Sequence, residues 1–257
     1  MAGCMVPGLE AQLSSPRFEV STVRPGDPDA QSSNLNTDVG LIRASNLPVL
    51  FLLQFAFGLN AGSTDQIIGA PAWVLSKPFN IVAKTDEATA AQAKQDSPDE
   101  RNELNRQMIR LLLEDRFQLK VHHERRELPV LVLTIAKKGS KLRVSTEQAS
   151  ATHWSGLHNP EPGLMEGSDA PVALLVNALS SKHEIDRRLI VDKTGLTGKY
   201  DFTLKWTPDN REAAGDLSES GPSLFTAVEE QLGLKLESAR EPVDCIVIDH
   251  IEQPSAN

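Results

Sequence analysis

Gly40-Leu41-Ile42-Arg43-Ala44-Ser45-Asn46-Leu47-Pro48-Val49 is one member of a pair. Diverged but ungapped, it returns as Gly163-Leu164-Met165-Glu166-Gly167-Ser168-Asp169-Ala170-Pro171-Val172. In each copy an apolar pair is followed by small and polar residues, an Asn or Asp suited to capping a helix, and Pro-Val at the head of an apolar run. Self-similarity at a fixed offset is the mark of a repeated structural plan. The expected fold is α+β: two similar halves, each with two helices packed on a mainly antiparallel sheet, related by internal duplication.

The pattern continues outward from the repeat. Val49, Leu52, Leu53 and Ala56 follow the first proline, and Val172, Leu175, Val176 and Leu179 the second, at the i, i+3, i+4, i+7 spacing of one helix face. Asn46 and Asp169 are the expected N-caps, with proline two residues later in the first turn, where a missing N–H costs little. Phe79, Ile81 and Ala83 alternate with polar residues or small apolar ones, and so do Tyr200, Phe202, Leu204 and Trp206, which predicts half-buried strands. Ser97-Pro98-Asp99-Glu100 is a capping box opening a helix to about Phe117. Its counterpart starts near Ser223, carries Leu224, Val228 and Leu232, and stops at Gly233. Each half is then expected to close with a hairpin, Phe117–Val121 into Pro129–Ile135, and Leu232–Leu236 into Pro242–Ile248. Phe18–Val23 reads as an opening strand. The polar stretches 26–38, 86–96, 148–162 and 208–221 read as surface loops. The division expected is a tail over 1–16, a first half over 17–144 and a second half over 145–257.

At 257 residues and 40% hydrophobic content, the chain can bury one large core or two modest ones. A net charge of −9 argues against a nucleic-acid partner, which calls for clustered Lys and Arg. No apolar run is long enough to span a bilayer. Two cysteines, Cys4 and Cys245, make no disulfide framework, and Cys245 reads as strand packing.

Three motifs suggest chemistry, and each has a plainer explanation. Asp192-Lys193-Thr194-Gly195 matches the phosphorylated-aspartate motif of cation-pumping ATPases, but the acidic strand ends and membrane channel that chemistry needs are missing. A turn, with Asp192 accepting nearby amides and Gly195 at positive φ, accounts for it. Ala136–Lys141 lacks the first glycine of a phosphate loop and has no helix after it. His122 and His123 point to opposite faces of a strand, so they do not share one metal ion. No catalytic, cofactor or metal residue is assigned. Trp73, after Gly69-Ala70-Pro71, reads either as a loop contact for a ligand or as an anchor on the core.

Several ordered segments resemble a family of soil-associated proteins abundant in Acidobacteria and defined as a domain of unknown function. They are Pro16–Pro25, Ile68–Trp73, Leu113–His122, Arg126–Val130, Val191–Phe202 and Val247–Glu252. The resemblance implies export, and it implies that residues 1–16 are a truncated export signal, although Met1-Ala2-Gly3-Cys4 lacks the charged and apolar regions of one. The location it implies is periplasmic or secreted. The functional expectation is a non-catalytic envelope binding or protein-interaction module whose partner is an envelope protein or small ligand. The alternative is a hydrolase with a loop-assembled site. The binding candidates are Trp73, Arg116, Asp192 and Lys193, which fall within the segments that carry the resemblance.

Overall fold

The computed structural model describes residues 18–30, 32–60, 64–146, 155–209 and 221–254; the expected tail and Cys4 lie outside them. In chain order the first elements are β1 (Phe18–Pro25), β2 (Asn34–Asp38), β3 (Leu41–Pro48), α1 (Val49–Phe57), β4 (Ile67–Ile68), α2 (Ala72–Ser76), β5 (Pro78–Thr85), α3 (Glu87–Ala93) and α4 (Pro98–Phe117). There follow β6 (Lys120–Ile135), β7 (Arg143–Val144), β8 (Gly156–His158), β9 (Leu164–Pro171), α5 (Val172–Ser180), β10 (Ile190–Asp192), β11 (Lys199–Lys205), α6 (Leu224–Leu232) and β12 (Leu234–His250). The class is α+β. The chain forms two compact units. The first holds residues up to Gly58, Pro71–Lys120 and the segment from His250; the second holds Leu59–Ala70 and Val121–Asp249. Residues 121–144, placed by sequence with the first half, thus belong to the second unit.

In the first unit an antiparallel sheet runs β1-β5-β3-β2. The period-2 pattern of β5 buries Phe79, Ile81 and Ala83 and exposes Asn80, Val82 and Lys84. On β3, Ile42, Ala44 and Leu47 point the same way. α1 and α4 pack on each other, and α4 touches β1. α4 buries Met108, Ile109, Leu112, Leu113 and Phe117, while Leu104 and Leu111 are only partly covered. Its start is the expected capping box: the Ser97 hydroxyl accepts from the Glu100 amide, and the Glu100 carboxylate accepts from the Ser97 amide at 2.8 Å.

The second unit holds two sheets. The first, β7-β11-β9-β8, is antiparallel. The second runs β10-β6-β12-β4, with β10 parallel to β6 and β4 parallel to β12. The principal core joins Tyr200, Phe202, Leu204 and Trp206 of the β11 face to Leu175 and Leu179 of α5, Leu224 and Val228 of α6, and Leu131 and Leu133 of β6.

Several expectations need correction. The two closing hairpins do not form; β6 and β12 are single strands of 16 and 17 residues. The charged stretch His122–Glu127 contains no Gly, Pro or Asn to reverse the chain, and it continues as an exposed strand. Residues 86–96 are not a loop: alanine-rich α3 forms there, and the Asp86 carboxylate accepts the Thr89 amide at 2.8 Å. β2 and β8 likewise fall in stretches read as loops.

Asn46 and Asp169 are not N-caps. The N-cap positions are Pro48 and Pro171, neither with a side-chain bond, and both prolines do open helices. Asn46 and Asp169 instead take left-handed φ of 52° and 45° inside β-bulges. Ser45 and Asn46 stand against Asn80 alone, and Ser168 and Asp169 against Asp201 alone. Asn and Asp tolerate this backbone region better than other non-glycine residues. Each bulge amide is taken across the strand: Asn46 N–H by Asn80 Oδ1 at 2.8 Å, Asp169 N–H by Asp201 Oδ1 at 2.9 Å.

Candidate binding site

β11 turns every second side chain inward, and Trp206, just past its end, completes that row at 8% exposure. The Trp206 amide donates to Gly163 O at 2.8 Å, which closes the end of the β9–β11 pair. Gly163 holds φ at 82°, and a Cβ on it would lie 2.3 Å from Trp206 O, so only glycine fits. Beyond α5 the chain makes a 3₁₀ turn, His183–Ile185, that brings Lys182 and Glu184 to the indole. Glu184 Oε1 accepts from Trp206 Nε1 at 2.8 Å, and Lys182 Nζ sits 5.2 Å from the ring centroid. The next residues, Asp186 and Arg187, both have left-handed φ, at 54° and 53°. Two such residues in succession store strain of about 1 kcal/mol or more each, a feature that clusters at functional sites. Arg187 Nη2 lies 3.2 Å from His183 Nε2. Guanidinium can only donate, so Nε2 is the acceptor in this contact.

Trp206, Gly163, Lys182, His183 and Glu184 wall a cleft of about 670 Å³ together with Pro160, Glu161, Pro162, Pro208 and Asp209. Its size suits a small ligand or an inserted side chain. Prolines and the indole edge supply apolar walls. Among the described residues, the exposed carboxylates of Glu161 and Asp209 have no hydrogen-bond or ion-pair partner. In the first unit the position matching Trp206 is Thr85, whose amide donates to Gly40 O at 3.0 Å, and α3 follows it. Among the described residues, this indole and its 3₁₀ turn have no counterpart in the first unit.

Of the four candidates named from sequence, Trp73 and Arg116 fall in the first unit and Asp192 and Lys193 in the second. Trp73 is half-buried, stacked on Phe117 at 6.4 Å between centroids and edge-on to Phe79 at 6.2 Å. Arg116 Nη1 donates to Ser21 O at 3.0 Å and to Ser21 Oγ at 3.1 Å, tying α4 to β1. Asp192 Oδ1 accepts the Thr194 amide at 2.8 Å, and Gly195 has φ 68°. Lys193 Nζ pairs with Glu241 at 2.6 Å. The Trp206 constellation was missed because Lys182 and Glu184 lie some twenty residues upstream, and only the terminal Trp of an inward row hinted at it.

Other reactive groups have local partners. His122 Nδ1 lies 2.9 Å from Asp249, and His250 Nε2 2.9 Å from Glu252. Cys245 is fully buried, and burial pushes its thiol above the ordinary range. Residues 136–141 make a turn, with Gly139 at φ 84°. Among the described residues, no group of three or more His, Cys, Asp or Glu side chains is placed to hold a metal ion. Nor is any described helix long and apolar enough to cross a membrane.

The chain belongs to a protein family of unknown function, DUF3738, whose model matches residues 51–251. The match starts inside α1, so β1, β2 and β3 precede it. No curated protein and no solved structure matches the chain.

Proposed function

We propose that this DUF3738 protein is a non-catalytic binding or protein-interaction module of the cell envelope, and that the Trp206 cleft receives its ligand. The observation that carries the reading is the way the indole is held. Its N–H is engaged by Glu184 and its ring by Lys182, and the loop that delivers both is strained. Such a pre-formed wall favours binding, because little ordering remains to be done when a ligand arrives. The free carboxylates of Glu161 and Asp209 beside proline walls suit a ligand that joins a cationic group to an apolar body.

The envelope location, periplasmic or secreted, rests on the resemblance to exported soil-associated proteins. The paired bulges and paired prolines support descent of the two units from one duplicated plan.

The test is a titration of isotope-labelled protein with fractionated envelope extract. Shifts should concentrate on the Trp206 indole N–H and on Lys182, His183 and Glu184. Shifts confined to other surfaces would remove the cleft from the account.

A further inference from the structure

The solvent face of the first unit's sheet carries a cationic cluster inside an acidic protein. On that face Val82 stands opposite Thr22 of β1 and Arg43 of β3, Lys84 opposite Val20, and Asn80 opposite Arg24. Directly paired side chains on a sheet lie about 5 Å apart at Cβ, and diagonal neighbours about 7–8 Å. Arg24, Arg43 and Lys84 therefore ring the exposed Val82, which is 40% accessible, beside Val20 at 58%. Among the described residues none of the three cations makes a hydrogen bond or ion pair. The acids nearby are Glu19, Asp38 and the α3 cap Asp86, at the Lys84 end, and Asp27 and Asp29, in the turn after β1. Asp38 and Asp27 are turned to backbone amides, of Val39 and Asp29.

The fold itself does not call for the cation on β3. In the second unit Glu166 occupies the place of Arg43 and Asp201 the place of Asn80, on the same kind of sheet with the same bulge. There Arg143 stands opposite Asp201 as Arg24 stands opposite Asn80, and Lys205 takes the place of Lys84, but Glu166 and Asp201 offset these cations.

We propose that this face of the first unit docks on an anionic lipid surface, with Arg24, Arg43 and Lys84 against headgroup phosphates and Val20 and Val82 at the contact centre. Charge complementarity selects an anionic partner. Size selects its kind: the face spans on the order of 300–500 Å² at the usual strand spacing and rise. A stable protein partner needs about 800 Å² per side. A small cationic face with bare valines suits a planar surface approached by many copies, each weakly held. The inference is independent of the Trp206 cleft, which lies in the other unit.

The experiment is co-sedimentation of the intact protein with vesicles of phosphatidylglycerol mixed with phosphatidylcholine, and with phosphatidylcholine alone. Binding is expected only to the anionic vesicles and should weaken as salt rises. Each single neutralisation, Arg24→Gln, Arg43→Gln or Lys84→Gln, should lower the partition coefficient roughly fivefold, the weight of one charge near an anionic leaflet. Arg43→Glu, which places on β3 the residue type that the corresponding strand carries, should keep the melting temperature and lose more binding than Arg43→Gln. Lys137→Gln/Lys138→Gln, in the second unit, should bind as the unaltered protein does. Equal binding to neutral vesicles, no binding to either, or binding indifferent to the three cations would overturn the proposal. So would competition by soluble heparin in a protein that ignores vesicles, which would make the partner an acidic polysaccharide.

Discussion

Asp201 Oδ1 accepts the backbone amide of Asp169 at 2.9 Å, and this one bond fixes the bulge that turns β9 into α5. The equivalent bond in the first unit is accepted by an asparagine, Asn80. Asp201→Asn should therefore be close to neutral. Asp201→Ala should cost about 1–3 kcal/mol, because it strands a half-covered amide. Urea denaturation of the two variants checks this; equal losses would mean that the carboxylate charge, not the acceptor, matters.

Gly163 and Gly195 share positive φ but not surroundings. At Gly195 an added methyl meets open space, whereas at Gly163 it meets Trp206 O. Gly195→Ala should cost about 1 kcal/mol, the backbone penalty alone. Gly163→Ala should cost clearly more, because backbone must move. It should also quench or shift Trp206 emission. Matching losses in a thermal melt would show that the cleft wall gives way easily.

Asp192 is a turn acceptor, so Asp192→Asn should cost about 1 kcal/mol or less and Asp192→Leu more, as the Thr194 amide loses its partner. Incubation with acetyl phosphate should leave no hydroxylamine-sensitive phosphate on either the unaltered protein or the variants. A phosphoaspartate absent only from the Asn variant would replace the turn reading with a catalytic one.

The capping box carries a pH signature. Hydrogen bonds from the Ser97 hydroxyl and amide lower the Glu100 pKa below its ordinary value. A depressed acid stabilises the fold fully above its unfolded pKa, and that contribution is lost as pH falls through the lower folded value. Between neutral pH and the acid range, the gap in melting temperature between the unaltered protein and Glu100→Gln should close. A gap that widens on acidification would give Glu100 the wrong sign.

Local signals made much of the framework legible. Prolines before aliphatic stripes mark α1 and α5, Ser97 with Glu100 marks α4, and Gly233 ends α6 at φ 66°. The bulges were illegible because their acceptors, Asn80 and Asp201, matter only once strand register is known. Strand continuity through His122–Glu127 was hidden for a related reason: ladder pairing overrides weak β-propensity there. The Trp206 cleft depends on a chain reversal at Asp186 and Arg187, residues whose left-handed backbone no composition announces.

The central claim is that the Trp206 cleft binds and does not transform its ligand. The direct measurement offers envelope extract from a native host to the immobilised protein and to a Glu161→Arg/Asp209→Arg variant, and analyses what is retained by mass. Both positions are exposed on the cleft rim, so the variant should fold normally. The account expects a species retained by the unaltered protein, eluted chemically unchanged, and lost from the variant. Retention indifferent to the two reversals, or release of a processed product, would contradict it.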